Sequence, residues 1–227
     1  PHVAIPNPCW GDATYASTDT INGISLGCVA SAKPCEPVGR SQDRYAYGEV
    51  DGNAVAVVAD GVSRSHRQEE WSHRIVEAVL VPNGEVTQAL KKVAEEHQVE
   101  GPLLRPLLDG ALTWAWDSKS EKSSHATLIR AQLSPKGKCQ VERVGDTWAV
   151  AKTSRAATWK VILSPSSENG TKAVDSQNPV FPDEIWEGEN ISKLIIMTDG
   201  FAKMEDDLLD NLFQLLLAKD DSGLAKF

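Results

Sequence analysis

The sequence predicts an α+β fold in which antiparallel sheets and helices are segregated along the chain, and three observations predict it. Apolar β-prone runs come first, amphipathic helical patterning follows, and strands return before a last helix; that order favours antiparallel sheets over βαβ units. Tight-turn signals join neighbouring apolar runs, as at Asp51-Gly52-Asn53 and Ser134-Pro135-Lys136-Gly137. No internal repeat, coiled-coil pattern or low-complexity tract competes with this reading. At 227 residues the expected organisation is one domain over 1–227. Residues 1–20, with three Pro and many small polar residues, are expected to form an irregular lead-in.

The elements follow in order. Ile24 to Ala30 is a short apolar stretch and a strand candidate, and a turn-rich segment with Pro34, Pro37 and Gly39 leads to Asp43-Arg44-Tyr45-Ala46-Tyr47. Asp51-Gly52 supplies the positive φ that a hairpin turn needs. The run Ala54 to Ala59 that follows is continuous and β-prone, the mark of a buried strand, and it stops at Asp60-Gly61. Trp71, Ile75, Val76, Val79 and Leu80 then recur at spacings of three and four, which puts them on one helix face. Further amphipathic stretches cover about Val86 to His97 and about Leu103 to Trp116. Strand patterns return at Ala126 to Leu133, Cys139 to Val144, Trp148 to Ala151 and Trp159 to Leu163. Ser164 to Glu189, rich in Ser, Asn, Pro and Gly, is expected to be a long surface loop. Leu194 to Thr198 is a strand ending at Asp199-Gly200, and Glu205 to Ala218 is a last helix with Leu208, Leu209, Leu212, Leu215 and Leu216 on its apolar side.

Composition excludes several functional classes. Lys and Arg number 23 against 32 Asp and Glu, a net charge of −9, which argues against gripping nucleic acid or anionic lipid over a broad face. No apolar run approaches the roughly 18–20 residues of a membrane span, so no membrane association is expected. The four cysteines, Cys9, Cys28, Cys35 and Cys139, form no C-x-x-C pair; neither a zinc ribbon nor a disulfide scaffold is signalled, and reduced thiols in a cytoplasmic protein are expected. Trp148 and Trp159 lie in strand patterns without a basic groove, which favours packing over base stacking.

One local design recurs. Apolar strands end in Asp-Gly at Asp60-Gly61 and at Asp199-Gly200, Gly145-Asp146 is a related turn, and Asp43 follows another turn. A carboxylate at the end of a rigid strand is held at a fixed place on a sheet rim, and a following glycine lets the backbone approach whatever it holds. Several such residues converging would build an all-oxygen site for Mg²⁺ or Mn²⁺.

Five segments carry more specific information: Ser41-Gln42-Asp43-Arg44, Val57-Val58-Ala59-Asp60-Gly61-Val62-Ser63, Ala126-Thr127-Leu128, Val144-Gly145-Asp146-Thr147 and Ile196-Met197-Thr198-Asp199-Gly200. Their order and rough spacing resemble those of metal-dependent type 2C (PPM family) Ser/Thr protein phosphatases, and the bacterial branch most closely. The resemblance runs from about Ile24 to the C-terminus. It implies a β-sandwich of two antiparallel sheets flanked by helices (α-β-β-α), with a metal centre at one end.

By that resemblance Asp60 would bridge two Mn²⁺ or Mg²⁺ ions, with the Gly61 carbonyl on one of them. Asp199 would bind the second ion, and Asp43 would act as an acidic ligand through water or from behind the residues that touch the metal. Asp60, Asp199 and Asp43 would carry the catalysis. Asp220, in the tail Asp220-Asp221-Ser222, stands where the family has its last ligand. A third ion would need an acid near Ser123-Ser124-His125, with Glu121 and Asp117 as candidates. The family's phosphate-binding arginine has no direct counterpart, since Val38 occupies its place; Arg40 and Arg64 are the alternatives. Val62 stands where some members have a histidine that acts as a general acid, which leaves water as the proton source. The implied activity is hydrolysis of phosphoserine and phosphothreonine in proteins by a water activated between two metal ions. The implied partners are a phosphorylated protein and a cognate Ser/Thr kinase, with the chain acting as a monomer and not binding nucleic acid. The alternative is a pseudophosphatase, the same fold kept as a phosphoprotein-binding or regulatory module, motivated by Val38 and Val62. A small-molecule phosphatase is a third reading.

Overall fold

A computed structural model describes residues 14–31, 43–62, 65, 67–100, 123–164, 172–199 and 206–218. Arg40, Arg64, Glu121, Asp117, Asp220 and the helix expected over 103–116 lie outside the described residues. The strands are β1 (Thr14–Ile21), β2 (Ile24–Ser31), β3 (Asp43–Val50), β4 (Asn53–Gly61), β5 (His125–Leu133), β6 (Cys139–Val144), β7 (Trp148–Thr153), β8 (Lys160–Leu163), β9 (Val174–Asp175), β10 (Glu184–Gly188) and β11 (Ile191–Met197). The helices are α1 (Gln68–Ala78), α2 (Val86–Glu100) and α3 (Asp206–Ala218).

The strands pair antiparallel throughout. Sheet I runs β10-β6-β5-β4-β3, with β9 pairing β5, and sheet II runs β11-β7-β8. The hairpin β1–β2 forms a separate pair that packs against β3 and α3. Alternation along the strands separates three cores. Val55, Val57 and Ala59 of β4 and Ala126 and Leu128 of β5 pack on α1 and α2 through Trp71, Ile75, Val76 and Leu90. Their neighbours Ile129 and Ala131 of β5 and Val141 of β6 turn the other way, onto Ala149 and Ala151 of sheet II. The outer face of sheet II, with Val150 and Met197, is covered by Leu209 of α3. The layers are therefore α-β-β-α, the sandwich that the resemblance implied.

The β3–β4 hairpin forms as its turn dipeptide requires: Asp51 and Gly52 have φ of 51° and 76°, both left-handed, which matches the twist of the paired strands. Asn22-Gly23, at 50° and 79°, does the same between β1 and β2. That turn explains one correction to the sequence reading. Residues 14–20 are not an irregular lead-in but most of β1, in continuous register from Thr14↔Ser31 to Ile21↔Ile24. It pairs with β2 along its whole length, and its Thr and Tyr are β-prone, so the ladder holds a strand whose sequence shows no strong apolar alternation. A second correction concerns the expected loop over 164–189, which contains β9 and β10. β10 is an edge strand on β6 with Trp186 turned into the inter-sheet core and Ile185 exposed, so its half-apolar pattern is hidden among turn-forming neighbours. Among the described residues no helix is long and apolar enough to cross a membrane.

A buried charge pair ties the helical layer to sheet I. Arg130 of β5, 1% exposed, donates to the carbonyls of Val79 and Val81 at 2.9 and 2.8 Å, to Asn83 Oδ1 at 2.6 Å and to Glu142 Oε2 at 2.9 Å. It thereby satisfies the C-terminal carbonyls of α1 and the loop to α2, which would otherwise be left unpaired. Removing one partner leaves the other buried and uncompensated, so Arg130→Ala is expected to cost about 3–5 kcal/mol. The joint change Arg130→Met with Glu142→Leu should recover much of that loss. The midpoint of urea denaturation measures both.

Candidate active site

Six strand termini meet at one rim of the sandwich. β3 begins there at Asp43, β4 ends at Gly61, β5 begins at His125, β6 ends at Val144, β7 begins at Trp148 and β11 ends at Met197. The antiparallel registers put them at the same end, because Asp43 pairs with Asp60, Asp60 with Thr127, and Met197 with Trp148. The Gly145-Asp146-Thr147 link carries the chain from sheet I to sheet II across this rim. Asp199, exposed, lies two residues beyond the end of β11 on the sheet II side.

The row Asp43–Asp60–Thr127 crosses three adjacent strands on the face of sheet I that looks towards sheet II, as Ile129, two residues beyond Thr127, does in the inter-sheet core. Directly opposed residues on antiparallel strands have Cβ atoms about 4.5–5.5 Å apart, and like charges so placed destabilise the pair. Thr127 is 3% exposed, and its buried Oγ1 has no hydrogen-bond partner. Two opposed carboxylates beside a buried, unpartnered hydroxyl suit a hard cation with its water better than they suit each other. The donor set therefore fits Mg²⁺ or Mn²⁺ at Asp43 and Asp60. Among the described residues, no three His, Cys, Asp or Glu side chains converge closely enough to hold a metal by themselves. The structure thus brings Asp43 and Asp60 together, with Asp199 on the opposite sheet's rim and Asp146 part-buried in the turn between.

Two glycines set close approaches around this row. A Cβ on Gly61 would stand 2.8 Å from Ser72 Oγ and 2.9 Å from the Gln68 carbonyl, so the first turn of α1 packs directly on the end of β4. A Cβ on Gly145 would stand 2.5 Å from Thr127 Cγ2 and 2.8 Å from the Lys172 carbonyl, and its φ of 103° suits glycine. Gly145 thus presses on Thr127 from the side away from Asp60 and fixes where the hydroxyl lies.

Other groups near the rim were not assigned roles by the sequence. Arg44 donates from Nη1 to the Asp43 carbonyl at 2.8 Å. Burial lowers its pKa, against the opposing pull of Glu69 and Asp43, so a part-buried cation flanks the carboxylate row. At the end of α2, His97 is 3% exposed, with its Nε2 2.8 Å from Ser124 Oγ and its ring 5.2 Å from that of Trp71. Trp71 Nε1 donates to the Val174 carbonyl at 2.9 Å, which joins α1, α2, β5 and β9 behind the rim. His125 stands at the start of β5. No sequence periodicity reveals these pairings, since each depends on strand register. Burial pushes the thiols of Cys28 and Cys139 up to about 12, so neither is a ready nucleophile. A mostly apolar cavity of about 450 Å³ lies between the sheets, lined by Leu26, Tyr45, Val58, Leu194 and Phe213 among others, with Asp43 and Arg44 in its wall.

The family model for protein phosphatase 2C matches residues 39–221, which include this whole rim. The chain belongs to the protein phosphatase 2C family. Among solved structures it is similar to the serine/threonine phosphatase Stp1 from Staphylococcus aureus, at 15% identity over 90% of this chain and 89% of that one, with a TM-score of 0.53. It is also similar to an arginine-to-glutamate variant of a bacterial serine phosphatase, at 16% identity over 90% and 91% of the two chains, with a TM-score of 0.52. At these identities the likeness is one of fold. A comparison with curated protein sequences returns no match.

Within this phosphatase 2C chain the Gly145 contact can be tested by substitution. Gly145→Ala forces a side chain into backbone and Thr127 at a left-handed φ, and is expected to cost about 1–3 kcal/mol in stability. A thermal melt of the purified variant measures it; an unchanged midpoint would show that Thr127 is not held in this way.

Proposed function

We propose that this phosphatase 2C chain is a metal-dependent hydrolase of phosphoserine and phosphothreonine in proteins. The observation that carries the reading is the Asp43–Asp60–Thr127 row at the sandwich rim, lying within the family match. Asp43 and Asp60 would hold Mn²⁺ or Mg²⁺ together with the Gly61 carbonyl, with Asp199 contributing from the sheet II side and Asp220 from the C-terminal segment. Two such ions supply Lewis acidity, favouring deprotonation of water and offsetting charge on the phosphoryl oxygens. The residues of the chain do the rest. The strand ends fix the carboxylates, the packing of α1 on Gly61 fixes the backbone carbonyl's neighbourhood, and Gly145 fixes Thr127 beside Asp60. Positioning and electrostatics suffice for phosphoryl transfer, so few other side chains are needed.

Arg40 or Arg64 would orient the phosphate; both flank the row in sequence. The substrate is a phosphorylated protein, a Ser/Thr kinase generates it, and the chain acts as a single-domain cytoplasmic monomer.

Hydrolysis of a phosphothreonine peptide with Mn²⁺, with Mg²⁺ or with EDTA tests the activity, and turnover that survives EDTA would overturn the metal-dependent reading. Asp60→Asn is expected to lower Mn²⁺-dependent turnover by about 10²-fold or more. Stability gives an independent readout. In EDTA the variant should be more stable than wild type by a few tenths to about 1 kcal/mol, because a like-charge pair is relieved. Saturating Mn²⁺ should reverse that order, since a ligand at 100 times its Kd stabilises the folded state by about 2.7 kcal/mol. Denaturation curves with and without metal measure both.

A further inference from the structure

Resting on the phosphatase reading above, we propose that Arg143 is a positioning residue for the metal-binding rim: it locks the Gly145-Asp146-Thr147 link and through it holds Thr127 beside Asp60. The course of the link creates the need. β6 pairs with β5 and β10 in sheet I, whereas β7 pairs with β11 and β8 in sheet II. A hairpin turn is held at its base by the ladder of its own two strands. This crossing has no such ladder, so another group must tie its flanks together.

The Arg143 side chain supplies the tie. Arg143 pairs with Ile129 across β5 and β6, and so shares the inter-sheet face with Thr127 and Asp60. From that face its Nη1 donates to the Thr147 carbonyl at 2.9 Å, immediately before the start of β7. Its Nη2 donates to Glu184 Oε2 on the edge strand β10, where Glu184 is the register partner of Arg143. The Arg143 carbonyl accepts from the Asp183 N–H at 2.9 Å, which fixes the backbone as well. The side chain is 2% exposed, so these charge-assisted bonds form away from competing water.

Both ends of the link are thereby set. Thr147 is fully buried and its own hydroxyl has no hydrogen-bond partner, so its carbonyl carries the polar tie to Arg143. At the other end Gly145 follows the last β5–β6 pair, Leu128↔Val144, which puts it opposite Thr127. A Cβ on Gly145 would meet Thr127 and the Lys172 carbonyl, and Lys172 Nζ pairs with Asp183 at 2.9 Å. Arg143, Lys172, Asp183 and Glu184 therefore clasp the link from the β10 side, and the link carries Asp146. Loosening the clasp frees Gly145 to lift from Thr127, and the row beside Asp60 loses its support. Groups that orient metal ligands from behind set affinity and rate without touching the ion. Lysine cannot replace this arginine, because one ammonium on a flexible stem does not span two acceptors as a planar fork does.

The test separates positioning from general stability. Arg130, the buried arginine on the face of sheet I turned to the helices, is the control. Mn²⁺ affinity by calorimetry, kcat and KM on a phosphothreonine peptide, and the thermal midpoint in EDTA are measured for wild type, Arg143→Lys, Glu184→Gln and Arg130→Lys. Arg143→Lys should weaken Mn²⁺ binding and lower kcat by about 10-fold or more, with KM within about twofold because the residue does not meet the substrate. Glu184→Gln should weaken Mn²⁺ binding by about threefold, since a neutral acceptor replaces a charged one. Arg130→Lys should lower the thermal midpoint as Arg143→Lys does, yet keep the wild-type affinity for Mn²⁺. Wild-type affinity in Arg143→Lys or in Glu184→Gln, or an equal loss in Arg130→Lys, would overturn the proposal and leave the phosphatase reading intact. If Arg143→Lys does not fold, Glu184→Gln against Arg130→Lys decides alone. Wild-type protein that binds Mn²⁺ but hydrolyses no phosphopeptide would overturn the phosphatase reading, and the affinity comparison would still decide this assignment. Wild-type protein that binds no Mn²⁺ would overturn both.

Discussion

Two carboxylates opposed across a β-ladder are the constraint around which the rim is organised. Asp43 and Asp60 occupy one register pair, where like charges repel, and rigid strands together with the neighbouring Arg44 cation hold them there. The rest of the end face supports that arrangement. α1 packs directly on Gly61, Gly145 presses Thr127 against the row, and the β6–β7 link closes the gap between the sheets at the same height. A flexible loop could move such a pair apart; a strand end within a six-stranded sheet cannot do so without breaking ladder hydrogen bonds.

The layers make that rigidity possible. β4 lies inside sheet I, and its two faces meet different cores: Val55, Val57 and Ala59 pack on the helices while Val58 packs towards sheet II. Asp60 sits one position beyond Ala59 and so inherits the direction of the inter-sheet face, but at the rim, where it stays part-buried rather than enclosed. Arg130 and Glu142 further in are enclosed, and there the charges are paired and hydrogen-bonded to carbonyls of the helical layer. The same sheet thus carries a compensated charge pair in its interior and a like-charge pair at its edge. Full burial of two like charges would be costly, whereas at the rim they stay part-buried with Arg44 alongside.

Much of this was legible in the residues. The buried run Ala54 to Ala59 ending at Asp60-Gly61, the hairpin at Asp51-Gly52 and the helical spacing from Trp71 all appear where the pattern placed them, because each is a local signal of period or turn. β1 and β10 escape the sequence pattern for a shared reason: both lack a strong apolar alternation and are held by their partners, which a single strand's sequence does not reveal. Thr127 was visible only as part of a short segment, and nothing in that segment told that its hydroxyl would lie beside Asp60.

The sequence by itself determined the element types, the turn that pairs β3 with β4 and the set of acidic strand ends, since these depend on residues adjacent in the chain. Only the tertiary structure decided which of those ends meet. Asp60 faces Thr127 across 67 positions of chain because β4 and β5 adopt one register, and a slip of one residue would turn Thr127 to the other face. Gly145 reaches Thr127 only once β6 lies beside β5. Register is set by the summed packing of both sheet faces, a property of the whole core that no local stretch of sequence contains.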